Sequence, residues 1–323
     1  MAIRFLPSLL AQAYSQVSPQ AIPQNFPQRA ARWLVLSAAL AALAACSTEP
    51  PAPARPQAIP LPDLERPVTS PGATPRQRIV EIALQEWRRW GGQTVRLGRD
   101  DTACVIATPL PAPVIASPAS GEGQEEAASA DSEAENSRPD EDCPNFPDGT
   151  GVEATAQGCT MAQRYWGIVG KQPSCEQVTQ PNWAWSAVFI SWVLRKAGLD
   201  DSQFLTGASH SMYVTDARDH VLPRPAFHVE AVPAMPRPGD LICAARGRDK
   251  YLGSPAEIGF GTTPMHCDIV VEVDPAAGLV KAIGGNVQQS VSMELVELGD
   301  SGQLDGVTNS HMPWLLVMRN DLR

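Results

Sequence analysis

The segment from Trp183 to Ala197, closed by Gly198, is apolar on nearly every face. A helix without a polar side cannot lie on a surface, so this one must run through the centre of its domain. Its neighbours are ordinary amphipathic segments. Thr74 as N-cap, Pro75 at the first helical position and Gln77 closing a capping box start a helix that ends at Gly91-Gly92. Ile79, Ala83, Trp87 and Trp90 share one face of it, which makes the two tryptophans core residues rather than a ligand platform. A short helix is expected around Met161–Val169, and another from Ser209 through about Asp219. Beyond Pro225 the pattern changes to short strands: Phe227–Val232, Asp240–Ala245, His266–Val273, Leu279–Gly284, Ser290–Leu298 and Trp314–Arg319, with a turn at Asp274–Gly278. Helices first and strands later predict an α+β domain, its N-terminal helices packed on an antiparallel β-sheet. No internal repeat is visible.

The 323 residues would suit one or two domains, but much of the length reads as something else. Arg29 and Arg32 lead into the apolar run Trp33–Ala45, too short to span a bilayer and right for a signal h-region. Leu43-Ala44-Ala45-Cys46 resembles a bacterial lipobox. That resemblance implies removal of residues 1–45, lipidation of Cys46 and attachment to a membrane through more than one acyl chain. Ser47, where an Asp would retain the protein at the inner membrane, implies the outer membrane of a Gram-negative envelope, facing the periplasm. The long stretch before Arg29 points to a translation start downstream of Met1. Residues 46–75 read as a tether: nine prolines fall between 50 and 75, and at ~3.1 Å per residue the run reaches roughly 80 Å. The folded domain is expected over 76–323.

Residues 108–142 are rich in Pro, Ala, Ser and Glu and are expected to form a disordered acidic insertion. Between 121 and 143 stand nine acids against Arg138, a net −8 out of the formal −10 of the chain, so the folded part is nearly neutral. No basic stripe with interleaved aromatics appears, which argues against nucleic acid as a partner. Apart from Cys46 there are six cysteines: Cys104, Cys143, Cys159, Cys175, Cys243 and Cys267. An even number in an exported protein favours disulfides, whose connectivity sequence does not decide. Cys104 with Cys143 would close the insertion at its base, and Cys267 with Cys243 would join neighbouring strands. Neither C-x-x-C nor H-x-x-x-H spacing occurs, so no metal and no cofactor is expected.

Three pieces carry candidate chemistry. Ser186 stands at the start of the apolar helix, where the helix dipole favours a developing anion. His266 opens the strand His266-Cys267-Asp268-Ile269-Val270-Val271. Gly284-Gly285-Asn286 follows the next strand. A facing histidine can take the serine proton, and a third polar group can fix the imidazole. Alternation puts His266, Asp268 and Val270 on one face and Cys267 on the other, so Cys267 is structural. His210 is the rival histidine, in the first turn of its helix, and with Trp185 and Asp268 it could line the same cleft. Each residue taken alone has a plainer reading: Ser186 as an N-cap, His266 as a satisfied strand histidine, Asn286 as a left-handed turn residue.

Ala184-Trp185-Ser186-Ala187-Val188-Phe189-Ile190-Ser191-Trp192 is similar to the active-site helix of CHAP-type amidases. Gly239-Asp240-Leu241, the His266 strand and Gly284-Gly285-Asn286 follow in the same order. The resemblance implies the NlpC-type, papain-like fold and cleavage of amide bonds in peptidoglycan. Closer still, Arg76 to Arg319 resembles the bacterial domain-of-unknown-function family 2272, on the helix Ile79–Trp87 and the segment Ala208–Tyr213. That family brings no settled activity. Carrying over the CHAP roles gives Ser186 as nucleophile, His266 as base and Asn286 as orienter, with serine where those enzymes have cysteine. A cysteine paired with histidine ionises near neutral pH, whereas a serine needs concerted base catalysis. The expectation is an envelope lipoprotein acting as a peptidoglycan-directed amide hydrolase. The alternatives are an inactive domain that binds peptidoglycan or an envelope protein, and a structural lipoprotein without ligand.

Overall fold

The computed structural model describes residues 67–99, 101–111 and 142–323, all within one compact unit that spans Leu61–Arg323. The signal segment, Cys46 and residues 112–141 of the acidic insertion lie outside the described residues. Thr108, at the start of that expected insertion, is buried and donates to the carbonyl of Trp90. The end of the expected tether also belongs to the domain surface. Val68 and Ser70 donate backbone N–H groups to Gln85 and Glu81 of the first helix.

That helix, α1 (Pro75–Arg89), starts on the expected capping box between Thr74 and Gln77 and ends at two glycines with positive φ. After it come β1 (Thr94–Leu97) and β2 (Thr102–Ile106). Next are α2 (Ala156–Trp166), a short α3 (Cys175–Val178), α4 (Ser186–Lys196) and α5 (His210–Asp219). Six strands complete the domain: β3 (Phe227–Ala231), β4 (Leu241–Ala245), β5 (Met265–Asp274), β6 (Leu279–Val287), β7 (Ser290–Glu297) and β8 (Trp314–Asn320). The class is α+β. One eight-stranded sheet runs in the order β2-β1-β7-β6-β5-β4-β8-β3, antiparallel except where β1 lies parallel to β7.

Each face of the sheet buries its own apolar cluster. On the first, Cys243, Cys267, Ile269 and Ile283 pack with α1, α2, α4 and α5. Nine consecutive residues of α4, Ser186–Leu194, are buried, which confirms its central course. The second cluster, with Val95, Val270, Ala282, Val296 and Val317, contains no helical residue. The alternation of β5 thus sends Cys267 toward the helices and His266 and Asp268 toward the other side.

Three disulfides join Cys104 to Cys143, Cys159 to Cys175 and Cys243 to Cys267. The last connects directly opposed residues of β4 and β5. Gly239-Asp240-Leu241 is a structural anchor. The buried Asp240 carboxylate takes ion pairs from Arg76 of α1 and Arg319 of β8, fastening the entry of β4 to both.

Candidate active site

Ser186 is the first residue of α4 and does not cap it: Trp185 holds the N-cap position without a side-chain cap. The serine is left with its hydroxyl pointing off the helix end, where the backbone N–H groups of the first turn have no helical acceptor. Its Oγ meets Nε2 of His210 at 2.7 Å. His210 is the first residue of α5, so the two helix starts face each other. The other ring nitrogen, Nδ1, is hydrogen-bonded to the Tyr213 hydroxyl one turn along α5. Burial is the main cause that pushes the His210 pKa well below the usual 6.5, helped by the charges of His266 and Arg246. The imidazole is therefore neutral at pH 7 and able to accept a proton. Tyr213 is pushed well above 10 by burial and, second, by the charge of Asp268, so it remains a phenol.

His266 was the base expected from sequence, and the structure gives it different neighbours. Its ring centroid lies 5.3 Å from that of His210, but its Nε2 is bonded to Asp268 Oδ1 at 2.8 Å and its Nδ1 has no partner. Period two makes this so: His266 and Asp268 project from the same face of β5, two residues apart. Burial lowers the His266 pKa to about 4.

Behind Asp268 lies Glu294 of β7. Burial raises Asp268 to about 7 and Glu294 well above its usual 4.5, the latter also through the charge of Asp268. Asp268 Oδ2 and Glu294 Oε2 are both buried without a hydrogen-bond partner, and each carboxyl shifts the other's pKa. One proton held by the pair is the usual outcome when two buried carboxyls share a site.

Asn286 does not orient either histidine. Its backbone is left-handed, with φ 58°, and its Nδ2 donates to Glu153 Oε2 at 2.8 Å. Glu153 also accepts from Trp185 Nε1 at 2.8 Å, so this buried carboxyl links the start of α4 to the end of β6. Nothing in the sequence around Glu153 marked it. Trp185, expected as a cleft residue, is instead fully buried and stacked on Trp90 at 4.8 Å between centroids. The two glycines before Asn286 are clearances. A Cβ on Gly284 would stand 1.9 Å from Asp268 Oδ1, and one on Gly285 would stand 2.5 Å from the Phe189 Cβ of α4.

A cavity of about 480 Å³ opens beside this cluster, with His266, Glu294, Asn286 and Arg246 in its wall. Ser186 and His210 are not part of that wall, and Ser186 is only 5% exposed. Among the described residues, no group of three or more His, Cys, Asp or Glu side chains is arranged to hold a metal ion. No helix of the described residues is long and apolar enough to cross a membrane.

Residues 148–320 match a family described as an uncharacterized protein conserved in bacteria, DUF2272. The match spans more than half of the chain and contains Ser186, His210, His266 and Glu294; α1 precedes it. No curated protein and no solved structure matches the chain.

Proposed function

The chain belongs to the DUF2272 family of bacterial proteins, and we propose that this member is a lipid-anchored envelope hydrolase of papain-like architecture that cleaves an amide in peptidoglycan. One observation carries the catalytic part: Ser186 Oγ sits 2.7 Å from a neutral, buried imidazole at the N-terminus of a central helix. The papain-like reading is supported by that helix lying on an antiparallel sheet whose neighbouring strand carries a histidine. The anchor at Cys46, the tether and the outer-membrane, periplasm-facing location are supported by the sequence alone.

In this reading His210 replaces His266 as the base, and Tyr213 replaces Asn286 as the group that holds the imidazole. Ser186 Oγ adds to the carbonyl carbon as its proton passes to His210 Nε2. The proton then goes to the leaving nitrogen as the C–N bond breaks, giving an acyl-serine and a free amine. Water repeats the sequence, releasing the acid and restoring the serine. Free N–H groups in the first turn of α4 are suited to receive the oxyanion.

A second reading is a binding domain without turnover, and the near-complete burial of Ser186 outside the cavity wall favours it. One assay separates the two. Wild type, Ser186→Ala, Ser186→Cys and His210→Gln are incubated with peptidoglycan fragments, and both new amino groups and retained binding are measured. The hydrolase predicts cleavage by wild type that falls by at least about a hundredfold in Ser186→Ala and His210→Gln. Binding without cleavage by wild type would overturn it in favour of the second reading. Cleavage confined to Ser186→Cys would identify a lapsed cysteine enzyme.

A further inference from the structure

The acyl-transfer steps leave unused the polar groups of the cavity beside His266, among them Arg246, His266 and the carboxyls of Asp142 and Glu294. Arg246 stands in its wall, exposed, and its guanidinium makes no ion pair among the described residues. The other arginines that reach a buried acid in this domain, such as Arg76, Arg164 and Arg319, are paired with it directly. His266 is 1% exposed, also lies in the wall, and has its Nδ1 unpartnered. With Nε2 engaged on Asp268, a neutral ring leaves Nδ1 as a bare acceptor, and a buried acceptor without a donor is a rare and costly state. The rest of the wall includes the apolar side chains Val95, Leu97 and Met312. At about 480 Å³ the cavity has the size of an ordinary small-molecule site.

These groups describe a ligand. It carries an anion for a planar guanidinium, an N–H for Nδ1, and a small apolar group. Carboxylate and N–H on adjacent positions of one unit are what the last residue of a peptide presents. We propose that this cavity binds the free C-terminal end of a peptide, Arg246 taking the carboxylate and His266 Nδ1 accepting the N–H of the same residue. Arginine suits this because its fork matches both oxygens of a carboxylate. The proposal deepens the hydrolase reading and rests on it for one consequence only, that the bound peptide end belongs to the substrate.

The test is a binding measurement that needs no turnover. Full-length Ser186→Ala protein is titrated by calorimetry with N-acetyl-alanyl-alanine, in L and D forms, and with the corresponding C-terminal carboxamides. At least one free acid is expected to bind about tenfold or more tighter than its carboxamide. Arg246→Gln, an exposed substitution whose folding is checked by its melting curve, is expected to remove that preference, and Arg246→Lys to keep part of it. His266→Phe is expected to weaken the acid and the carboxamide alike, since both carry the N–H. Equal affinity for acid and carboxamide, a preference that survives Arg246→Gln, or no binding of any of them would overturn the proposal. A preserved acid preference in a protein that never cleaves peptidoglycan would leave the subsite standing and remove the hydrolase reading.

Discussion

Gly285→Ala tests whether the contact between β6 and α4 sets the position of the serine. In the structure a Cβ at this position meets Phe189 Cβ at 2.5 Å, Cγ at 2.7 Å and Cδ1 at 3.0 Å. Carbon atoms pack comfortably at about 3.5–4.0 Å, so helix and strand must separate by roughly 1 Å. Overpacking of this kind costs about 1–3 kcal/mol. The lower chain entropy of alanine in the unfolded state returns only about 0.4–1 kcal/mol, so the net is a destabilisation of about 1–2 kcal/mol. For a domain of this size that is a fall in melting temperature of about 2–8 °C. Phe189→Ala alone should cost about 3–5 kcal/mol through the cavity it leaves. The double variant should cost less than the sum of the two, because loss of the ring removes the contacts at 2.7 and 3.0 Å, while the one at 2.5 Å persists, since alanine keeps its Cβ. Phe189 lies one helical turn from Ser186, so the displacement passes to the Ser186–His210 contact and peptidoglycan cleavage should fall more than stability does. Chemical and thermal unfolding of the four proteins give the cycle. A melting temperature of Gly285→Ala within 1 °C of wild type, or losses that add within about 0.5 kcal/mol, would refute the reasoning.

Other expectations follow from the buried polar groups and the crosslinks. His266, depressed from 6.5 to about 4, withholds about 3 kcal/mol of stability as pH falls through that window, because only the unfolded chain takes up the proton. Asp268, raised from 3.8 to about 7, gives back about 4 kcal/mol over pH 7 to 4, because there the folded state binds the extra proton. Asp268→Asn removes the second contribution together with the charge that helps to raise Glu294, so urea melts from pH 7 to 4 should show the variant losing more stability than wild type. An unchanged slope would refute the assignment. Glu153→Ala leaves Trp185 Nε1 and Asn286 Nδ2 without their acceptor and should cost about 2–4 kcal/mol in the same assay. Replacing both Cys159 and Cys175 by serine opens a loop with a sequence separation of 16 and should cost about 3 kcal/mol by chain entropy.

The fold was readable where a local signal agreed with burial. The capping box at Thr74, the apolar α4 and the alternation of β5 all describe a residue's own surroundings, and each appears in the structure. β1 and β2 were missed because strands of four and five residues beside a long acidic segment show too little period to register. Glu294 was hidden by its own alternation. Ser290, Ser292 and Glu294 make one face of β7 look solvated, yet all three are buried. The pairing of Ser186 with His210 depends on two helix starts meeting in space, and nothing in either segment encodes that direction. Sequence did narrow the choice: it placed both histidines as candidates for one serine, and in the structure His210, not His266, stands in hydrogen-bond contact with it.

The disulfide between Cys104 and Cys143 has a consequence beyond stability. It brings the two exits of the intervening segment together, with their Cα atoms 5.0 Å apart. Past Cys104 the domain also holds Val105 and Ile106 in β2 and the buried Thr108 against Trp90. A tag or a second module grafted between residues 112 and 141 replaces no residue of the described strands or helices and leaves this crosslink in place.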